Sequence, residues 1–434
     1  MDVCVVGLGK LGLPLAVQIA TQGHRVRGAD INPKTVGLVN AGTEPFPGEA
    51  HLSELLAEVV GSGQLTAQTD TSEAVLKSQA VIVIVPLLVD AKRQPDFGAL
   101  DAATLAIGEA LQPGTLVSYE TTLPVGTTRQ RFTPHLARLS GLTAGEDFYV
   151  VHSPERVFTG RVFSDLRRYP KLVGGINDKS ASAGVSFYES VLTFDERPDL
   201  DRPNGVWAMA NVETAELTKL AETTYRNVNI GLANEFAMYS EGAGIDVYDV
   251  ISAANSQVFS HIHQPGASVG GHCIPVYPHL YLLGDDQARL PRQSVAANES
   301  VPGHLVSRLE NATPGGLTGK NVAVLGLAYR PSTKEDAFSG AYQLVRELES
   351  RDAVAFVDDP MYETSEIAER GLRPLLDRAA MDSIILHTAH PQYLELWHAD
   401  FDQARVVLDG RHFLNPDQWS PATFLVLGRG QQAT

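Results

Sequence analysis

The side chain with the greatest chemical potential in this sequence is Cys273, which lies in the glycine-rich segment VGGHCIPVY at residues 269–277. The pair Gly270 and Gly271 lets a backbone pass close to a ligand where any side chain would collide. Residues 277–283 are predicted to form a helix, and a cysteine near a helix N-terminus has the setting of an activated thiolate. A free cysteine is also common in protein cores. The local sequence leaves a nucleophile and a buried structural thiol as equal alternatives.

A second segment, GLGKLG at residues 7–12, indicates dinucleotide binding. It follows a predicted strand at residues 3–6 and opens a predicted helix at 13–21, and Asp30 ends the next strand. The glycines permit a tight turn and the close approach of a pyrophosphate to the helix N-terminus. Asp30 would accept hydrogen bonds from an adenosine ribose and repel a 2′-phosphate, which favours NAD over NADP. A purely structural glycine turn is the alternative.

Composition argues against two classes of partner. The chain has 434 residues, with 51 acidic and 34 basic side chains and a net charge of −17. This charge argues against nucleic acid or an anionic membrane as a general partner. The two cysteines, Cys4 in a predicted strand and Cys273 in a loop, do not form a disulfide framework. The chain opens on a strand, so we expect no signal peptide, and no apolar run reaches the roughly 20 residues of a membrane span. We therefore expect a cytoplasmic protein.

Strands alternate with helices at both ends of the chain, which predicts parallel, doubly wound sheets. Between them, residues 212–242 show helical periodicity without proline, and such a helix would be about 45 Å long. We predict an α/β fold in which two Rossmann-like domains flank a central helical dimerisation domain. The predicted domains are an NAD-binding domain at 1–200, the central domain at 201–310, and a sugar-nucleotide domain at 311–434. The two α/β halves suggest a distant structural repeat, although no repeat is visible in the sequence.

Further segments complete a pattern that covers nearly the whole chain. They are ETTLPVGT at 120–127, SPER at 153–156, AELTK at 215–219, GGHC at 270–273, GLAYRP at 326–331 and DGR at 409–411. With the segment at 7–12, they make the chain resemble the UDP-glucose/GDP-mannose dehydrogenase family. The SPER form, followed by Gly160, is most similar to the branch that acts on UDP-N-acetylhexosamines. UDP-glucose or another hexose remains the alternative substrate.

The resemblance implies a reaction. Family enzymes oxidise C6 of a nucleotide sugar from alcohol to carboxylate, with two NAD⁺ and one water. Cys273 would add to the intermediate aldehyde and form a thiohemiacetal, and the second oxidation would give a thioester that water hydrolyses. Covalent capture keeps the aldehyde bound between the two oxidations.

The same resemblance assigns roles to other catalytic side chains. Lys219 would stabilise the oxyanion that develops at C6, or it is a solvated helix lysine paired with Glu216. Glu155 would handle the hydrolytic water with the help of Thr122. The alternatives are a surface carboxylate for Glu155 and a cap for Thr122. We expect Glu120 to be structural.

Binding residues follow from the matched motifs. The resemblance implies a cofactor site formed by Gly7, Gly9, Lys10, Leu11, Gly12, Asp30, Pro86 and Thr122. It implies a UDP-sugar site formed by Glu155, Arg156, Lys219, His263, Gly270, Gly271, Tyr329, Arg330 and Arg411. Arg330 and Arg411 would bind the diphosphate through paired hydrogen bonds, or each is a surface arginine. No metal is expected, and the long central helix leads us to expect a homodimer through the central domain.

The sequence departs from the family at several of these positions. Tyr277 replaces an aspartate, Thr223 replaces an asparagine, and Phe259 stands where the dimer partner would supply an arginine. Leu87-Leu88 and the segment KEDA at 334–337 also differ. One interpretation keeps the full oxidation, with the Tyr277 and Thr223 hydroxyls forming the needed hydrogen bonds. A second is a two-electron reaction with Tyr277 as proton acceptor, since a nearby cation lowers a tyrosine pKa. A third is a nucleotide-sugar sensor without turnover.

Overall fold

The computed structural model describes residues 1–90 and 93–430, which divide into two compact units. The first contains Met1–Glu222 with His279–Gly284, and the second contains Thr223–Pro278 with the residues from Asp285 onward. The first boundary falls inside one long helix, Val212–Ala243. The three-domain division at 1–200, 201–310 and 311–434 stays a prediction.

A large sheet forms the centre of the first unit. Its eight strands are β1 (Asp2–Val6), β2 (Arg25–Ala29), β3 (Leu65–Gln68), β4 (Ala80–Val83), β7 (Leu116–Tyr119), β8 (Tyr149–His152), β9 (Lys171–Gly175) and β10 (Val206–Met209). Two further strands, β5 (Leu88–Val89) and β6 (Pro95–Asp96), form a separate short hairpin. The eight sheet strands lie in the order β10-β9-β8-β7-β4-β1-β2-β3. Apolar side chains cover both faces, which is why β4, β7 and β9 are buried along their whole length.

One reversal of strand direction in this sheet positions side chains that are distant in sequence. The strands from β3 to β8 run parallel, whereas β9 runs antiparallel to β8. The start of β9 therefore lies at the carboxyl ends of β7 and β8, the edge where doubly wound sheets bind their ligands. His152 faces Gly174 in this register. Continued by three residues, the same register sets Glu155 opposite Lys171.

Helices cover the sheet of the first unit. They are α1 (Gly12–Thr21), α2 (Pro33–Asn40), α3 (Leu52–Gly61), α4 (Thr71–Leu76), α5 (Gly98–Ala110), α6 (Thr133–Ser140), α7 (Val162–Arg168) and α8 (Asp178–Val191). Side-chain caps explain several of their starts, because Asn32, Asp70 and Asn177 each accept a hydrogen bond from a backbone N–H of the first turn.

The second unit is built on a smaller parallel sheet in the order β12-β11-β13-β14-β15. These strands are β11 (Asn321–Leu325), β12 (Val354–Asp358), β13 (Ser383–Leu386), β14 (Val406–Asp409) and β15 (Thr423–Val426). The remaining helices are α9 (Val212–Ala243), α10 (Val247–Asn255), α11 (Cys273–Leu282), α12 (Arg289–Ala312), α13 (Ala341–Glu349) and α14 (Thr364–Glu369). Buried residues at 341, 344, 345 and 348 of α13 follow the helical period and face the core.

The two sheets begin with the same local construction. Gly7 and Gly326 each follow the first strand with a positive φ, +97° and +105°. The amide of Gly7 donates to Ala29 at 2.8 Å, and that of Gly326 donates to Asp358 at 2.7 Å. The structure thus supports the structural repeat that the alternation of strands and helices suggested.

The predicted α/β class with Rossmann-like sheets and helices between them is confirmed. Periodicity missed six strands, which are β3, β5, β6, β9, β10 and β15. The predicted start of a helix at Tyr277 is wrong, because α11 begins at Cys273. Pro275 does not prevent this earlier start, since a first-turn N–H has no helical partner to lose. Among the helices of residues 1–90 and 93–430, none is long and apolar enough to cross a membrane.

Candidate functional site

The loop after β1 has the geometry of a dinucleotide site. The Asp30 carboxylate accepts hydrogen bonds from the amides of Leu8 and Asn32, each at 2.8 Å. These bonds hold the carboxylate at the end of β2, beside the glycine loop, with part of its surface still exposed. The arrangement leaves an acceptor where a ribose hydroxyl would lie.

The glycines of this loop serve two different purposes. A Cβ on Gly12 would lie 1.9 Å from the Gly7 carbonyl oxygen, so the fold itself requires glycine there. A Cβ on Gly9 would meet no atom within 4 Å. The protein alone does not need glycine at position 9, and this open surface fits the close approach of a pyrophosphate. The residues present therefore fit NAD.

The other predicted cofactor residues lie along the same edge of the sheet. Lys10 is exposed and Leu11 is half-buried in the turn, while Pro86 is exposed after β4 and Thr122 is buried after β7. Because β4 and β7 are neighbours, the segments that follow them are adjacent. Thr121 joins them by donating a hydrogen bond to the Val85 carbonyl at 2.6 Å.

A buried cluster of charged side chains lies at the carboxyl ends of β7 and β8. Lys171 donates to Glu120 at 3.0 Å and also to Glu155 through a short contact. The hydroxyl of Tyr188, on α8, donates to Glu120. Glu155 is only 8% exposed, so the alternative of a surface carboxylate is wrong.

The two carboxyls of this cluster have opposite electrostatic properties. Burial raises the pKa of Glu120 well above its ordinary value, even against the charge of Lys171. Burial would also raise the pKa of Glu155. The charge of Lys171, a hydrogen bond with Glu120 and the charge of Lys219 outweigh burial there, and they lower its pKa. Glu155 is thus ionised at neutral pH.

Lys219 is buried on α9, with 7% of its surface exposed, so the alternative of a solvated lysine is wrong. The carboxylate of Glu216, which that alternative pairs with Lys219, is bonded to the 123–128 loop. That carboxylate accepts bonds from the amides of Gly126 and Thr128 at 2.6 and 2.8 Å, and from the Thr128 hydroxyl at 2.7 Å. Burial raises the pKa of Glu216 to about 7. Glu216 therefore fastens the 123–128 loop to α9.

The remaining predicted residue of the first unit, Arg156, follows Glu155 directly. Its Nε donates to Glu222 at 2.9 Å, and its guanidinium lies 6.0 Å from the centre of the Tyr169 ring. Arg156 is therefore fixed in orientation at the end of the same loop.

Cys273 in the second unit is partly exposed as the first residue of α11. The two preceding glycines pack tightly against Tyr329, because a Cβ on Gly270 or Gly271 would lie 2.5 or 3.0 Å from that side chain. Gly271 also has a φ of +82°, which disfavours any other residue. The structure thus presents the thiol at a helix N-terminus. Tyr277 lies one turn further along the same face of α11.

Asn227, on α9, supports this helix in a way that the sequence analysis missed. Pro278 has no N–H, so it cannot donate the helical hydrogen bond to the carbonyl of Ile274. Asn227 is buried and donates to that carbonyl instead, at 3.2 Å, while its own oxygen accepts from Ser294 at 2.8 Å. Thr223, also buried, lies one turn before Asn227. The sequence signal for such a donor was Pro278, because a proline within a helix leaves a carbonyl that needs another partner.

The predicted diphosphate residues lie near the same loop of the second unit. Arg411 donates to the carbonyls of His387 and Ser268 at 2.6 and 3.2 Å, and burial lowers its pKa to about 10. The alternative of a surface arginine is therefore wrong for Arg411. Arg330 is half-buried, with its guanidinium 5.8 Å from the Tyr329 ring centre.

The amide of His263 donates to Asn229 at 2.7 Å. This bond fixes the start of the segment that leads to Gly270. Phe259, earlier in the same region, is 86% exposed.

The structure therefore brings together Glu120, Glu155, Lys171 and Lys219 in the first unit. It brings together Gly270, Gly271, Cys273 and Tyr329 in the second. Lys171 could have been found only from the antiparallel direction of β9. No group of three or more His, Cys, Asp or Glu side chains in the described part of the chain is arranged to hold a metal ion.

A dinucleotide loop with a ribose acceptor, an ionised buried carboxylate and a thiol at a helix start define an NAD-dependent dehydrogenase. Comparison with known proteins agrees. Models of the UDP-glucose/GDP-mannose dehydrogenase family match residues 1–192 (NAD binding domain), 213–301 (central domain) and 323–416 (UDP binding domain). The chain belongs to this family, and it is a nucleotide-sugar dehydrogenase.

Individual relatives cover almost the entire chain. UDP-N-acetyl-D-mannosamine dehydrogenase of Pyrococcus horikoshii is 34% identical over 99% of both chains. NDP-N-acetyl-D-galactosaminuronic acid dehydrogenase of Ralstonia nicotianae is 32% identical over 94% of this chain and 95% of its own. Among solved structures, UDP-D-ManNAc dehydrogenase from P. horikoshii superposes with a TM-score of 0.89 at 31% identity, covering 99% of both chains. A UDP-glucose dehydrogenase from Pyrobaculum islandicum gives 0.85 at 27%, covering 99% and 98%.

Proposed function

We propose that this protein oxidises C6 of a UDP-N-acetylhexosamine to the uronic acid, in two oxidations and one hydrolysis. The observation that carries the proposal is Cys273 as the first residue of α11, partly exposed behind two tightly packed glycines. A thiol at a helix N-terminus suits addition to a carbonyl carbon. Bound NAD⁺ would supply the hydride acceptor for each oxidation.

The side chains of the protein divide the remaining work. The Cys273 thiolate would add to C6 of the aldehyde, and the resulting thiohemiacetal would be the form that is oxidised to a thioester. Glu155 would take a proton from a water molecule while the oxygen of that water attacks the thioester carbon. Cys273 would then leave as the thiolate. The Lys219 ammonium would stabilise the oxyanion on C6, with Thr122 holding the water.

Two lines of support favour an N-acetylated sugar. Several of the similar curated proteins are named UDP-N-acetyl-D-mannosamine dehydrogenases, at 28–34% identity. The SPER segment at 153–156 is the form expected for that branch. UDP-glucose is the second candidate because of the structural similarity to the P. islandicum enzyme.

Tyr329, Arg330 and Arg411 of the second unit are proposed to bind the nucleotide.

The proposed complete oxidation can be separated from its rivals by product stoichiometry. The protein is incubated with NAD⁺ and a panel of UDP-sugars, and NADH and uronate are both measured. Two NADH per sugar support the proposal. One NADH with an aldehyde product would show the partial reaction, in which Tyr277 and Thr223 no longer serve hydrolysis. No NADH with any sugar, together with tight UDP-sugar binding, would show a sensor.

The covalent role of Cys273 has a matched control within the chain. Cys273→Ala should stop the enzyme before uronate forms, whereas Cys4→Ala should not, because Cys4 is fully buried in β1. Continued production of uronate by Cys273→Ala would exclude the covalent mechanism.

We further propose that the protein is a cytoplasmic homodimer that provides uronates for polysaccharide synthesis. Exposed apolar residues form one stripe along α9 at the spacing of a helix–helix seam, and they are Tyr225, Leu232, Phe236 and Tyr239. Light scattering after size exclusion should give a dimer for the wild type and a monomer for Phe236→Asp with Tyr239→Glu. A monomeric wild type would contradict the dimer.

A further inference from the structure

The buried cluster of the first unit is centred on one ammonium group, that of Lys171. Lys171 is hydrogen-bonded to both Glu120 and Glu155, which brings the two carboxyls close together. Two carboxylates offer only acceptors to each other, so they cannot stabilise each other by a hydrogen bond unless one carries a proton. Two ionised carboxylates in contact would also repel each other strongly in a buried site. One of the two acids therefore keeps its proton at neutral pH.

The surroundings of the cluster decide which carboxyl is protonated. The charge of Lys219 acts on Glu155, which places a second cation on that side of the pair. Glu120 is enclosed by Tyr188 on α8 and by Lys171 on β9. His152 is the last residue of β8, and burial together with the charge of Lys171 lowers its pKa to about 3. His152 is therefore neutral at neutral pH. The asymmetry puts the negative charge on Glu155 and the proton on Glu120.

We propose that Lys171 and Glu120 are positioning residues for Glu155, in which Lys171 fixes the Glu155 carboxylate and Glu120 holds the single proton of the pair. This inference rests on the proposed function, in which Glu155 accepts a proton from water. The two residues do not touch the substrate in this account. They keep Glu155 ionised, and only an ionised carboxylate can accept a proton from the water. The directions of the pKa shifts of Glu120 and Glu155 agree with this distribution.

Removing the cation should change the pH profile and not only the rate. In Lys171→Met the Glu155 carboxylate loses its contacting ammonium, and an opposite charge within contact distance shifts a pKa by about 1–3 units. The acid limb of kcat for uronate formation should therefore move up by about 1–3 pH units, and activity lost at neutral pH should return at higher pH. Lys171→Arg should restore the position of the limb.

Two further variants separate positioning from simple structural support. Glu120→Gln imitates a protonated carboxyl, so the acid limb should keep its position even where kcat falls. Lys179→Met removes a lysine that forms an exposed pair with Glu146, and it serves as the matched control with an unchanged profile. A Lys171→Met variant that loses stability or kcat while its acid limb stays in place would overturn the proposal.

A spectroscopic measurement tests the proton without any substrate. Infrared spectra of protein with ¹³C-labelled glutamate are compared at about pH 8, above the pKa of about 7 of Glu216. A buried carboxylic acid band should be present in the wild type and lost in Glu120→Gln. No such band in the wild type, or a band that persists in Glu120→Gln, would overturn the inference. This result stands even if no sugar is oxidised, in which case only the proposed function fails.

Discussion

Asp30 and Asp359 occupy equivalent places in the two sheets, each at the end of the second strand and each bonded to the loop after the first. Asp30 accepts from the amide of Leu8 at 2.8 Å, and Asp359 accepts from the amide of Leu327 at 2.7 Å. Their surroundings differ, because Asp359 is 3% exposed and also accepts from Ala328, Met361 and His390. The second carboxylate is fully used by the protein, and only the first has capacity left for a ligand.

This difference predicts opposite consequences of the same substitution. Asp30→Ala should weaken NAD binding about 10–100-fold, because a hydrogen bond to a charged group contributes about 1.5–3 kcal/mol. It should also reduce the preference for NAD over NADP. Asp359→Ala should leave NAD affinity unchanged and lower the free energy of unfolding by about 2–5 kcal/mol, since several buried donors lose their acceptor. Calorimetry and urea denaturation measure the two effects, and an exchange of these outcomes would contradict the assignment.

The glycine loop allows a second paired test. Gly9→Ala places a methyl group in open space, so the protein should fold with nearly unchanged stability but lose most of its NAD affinity. Gly12→Ala places a methyl group 1.9 Å from the Gly7 oxygen, so it should destabilise the first unit itself. Thermal unfolding without cofactor distinguishes them. Normal NAD binding by Gly9→Ala would show that the pyrophosphate does not pass over this residue.

Glu216 predicts a pH dependence of stability. Its pKa of about 7 in the folded protein exceeds the ordinary glutamate value of about 4.3, so the folded state holds the proton more tightly than the unfolded state. Its contribution to stability is complete below pH 4.3 and is lost as pH rises through 7, by about 3–4 kcal/mol. Glu216→Gln cannot titrate. The difference in unfolding free energy between wild type and this variant should fall over that range, and a constant difference would contradict the raised pKa.

Asn227 and Pro278 should be energetically coupled. Asn227→Ala removes the donor to the Ile274 carbonyl, which should cost about 1–3 kcal/mol of stability and reduce kcat by loosening the start of α11. In a Pro278→Ala background, residue 278 regains an N–H that can reach this carbonyl. The loss caused by Asn227→Ala should then be smaller. A double-mutant cycle by denaturation measures the coupling, and additive losses would disprove it.

Sequence patterns were sufficient for the α/β class and the dinucleotide loop, whereas the catalytic role of Cys273 stays a prediction. Apolar periodicity located β1, because buried strands of a parallel sheet are nearly continuous apolar runs. It missed β9, where the charged Lys171 begins the strand and a Gly-Gly pair ends it. The contacts of Lys171 with Glu120 and Glu155 depend on the reversed direction of that strand, which local periodicity does not contain. The environments of Lys219 and Arg411 likewise depend on burial, a property of the assembled fold.

The contrast between the two cysteines has a practical consequence for chemical labelling. Burial raises the pKa of Cys4 to about 12, and its side chain is inaccessible within β1. Cys273 is partly exposed at the start of a helix, and the chain contains no third cysteine. A thiol reagent should therefore label the folded protein at one site, Cys273. A maleimide-linked fluorophore or spin label attached without mutagenesis would report directly from the glycine-rich loop, and its protection by a UDP-sugar would serve as a binding assay.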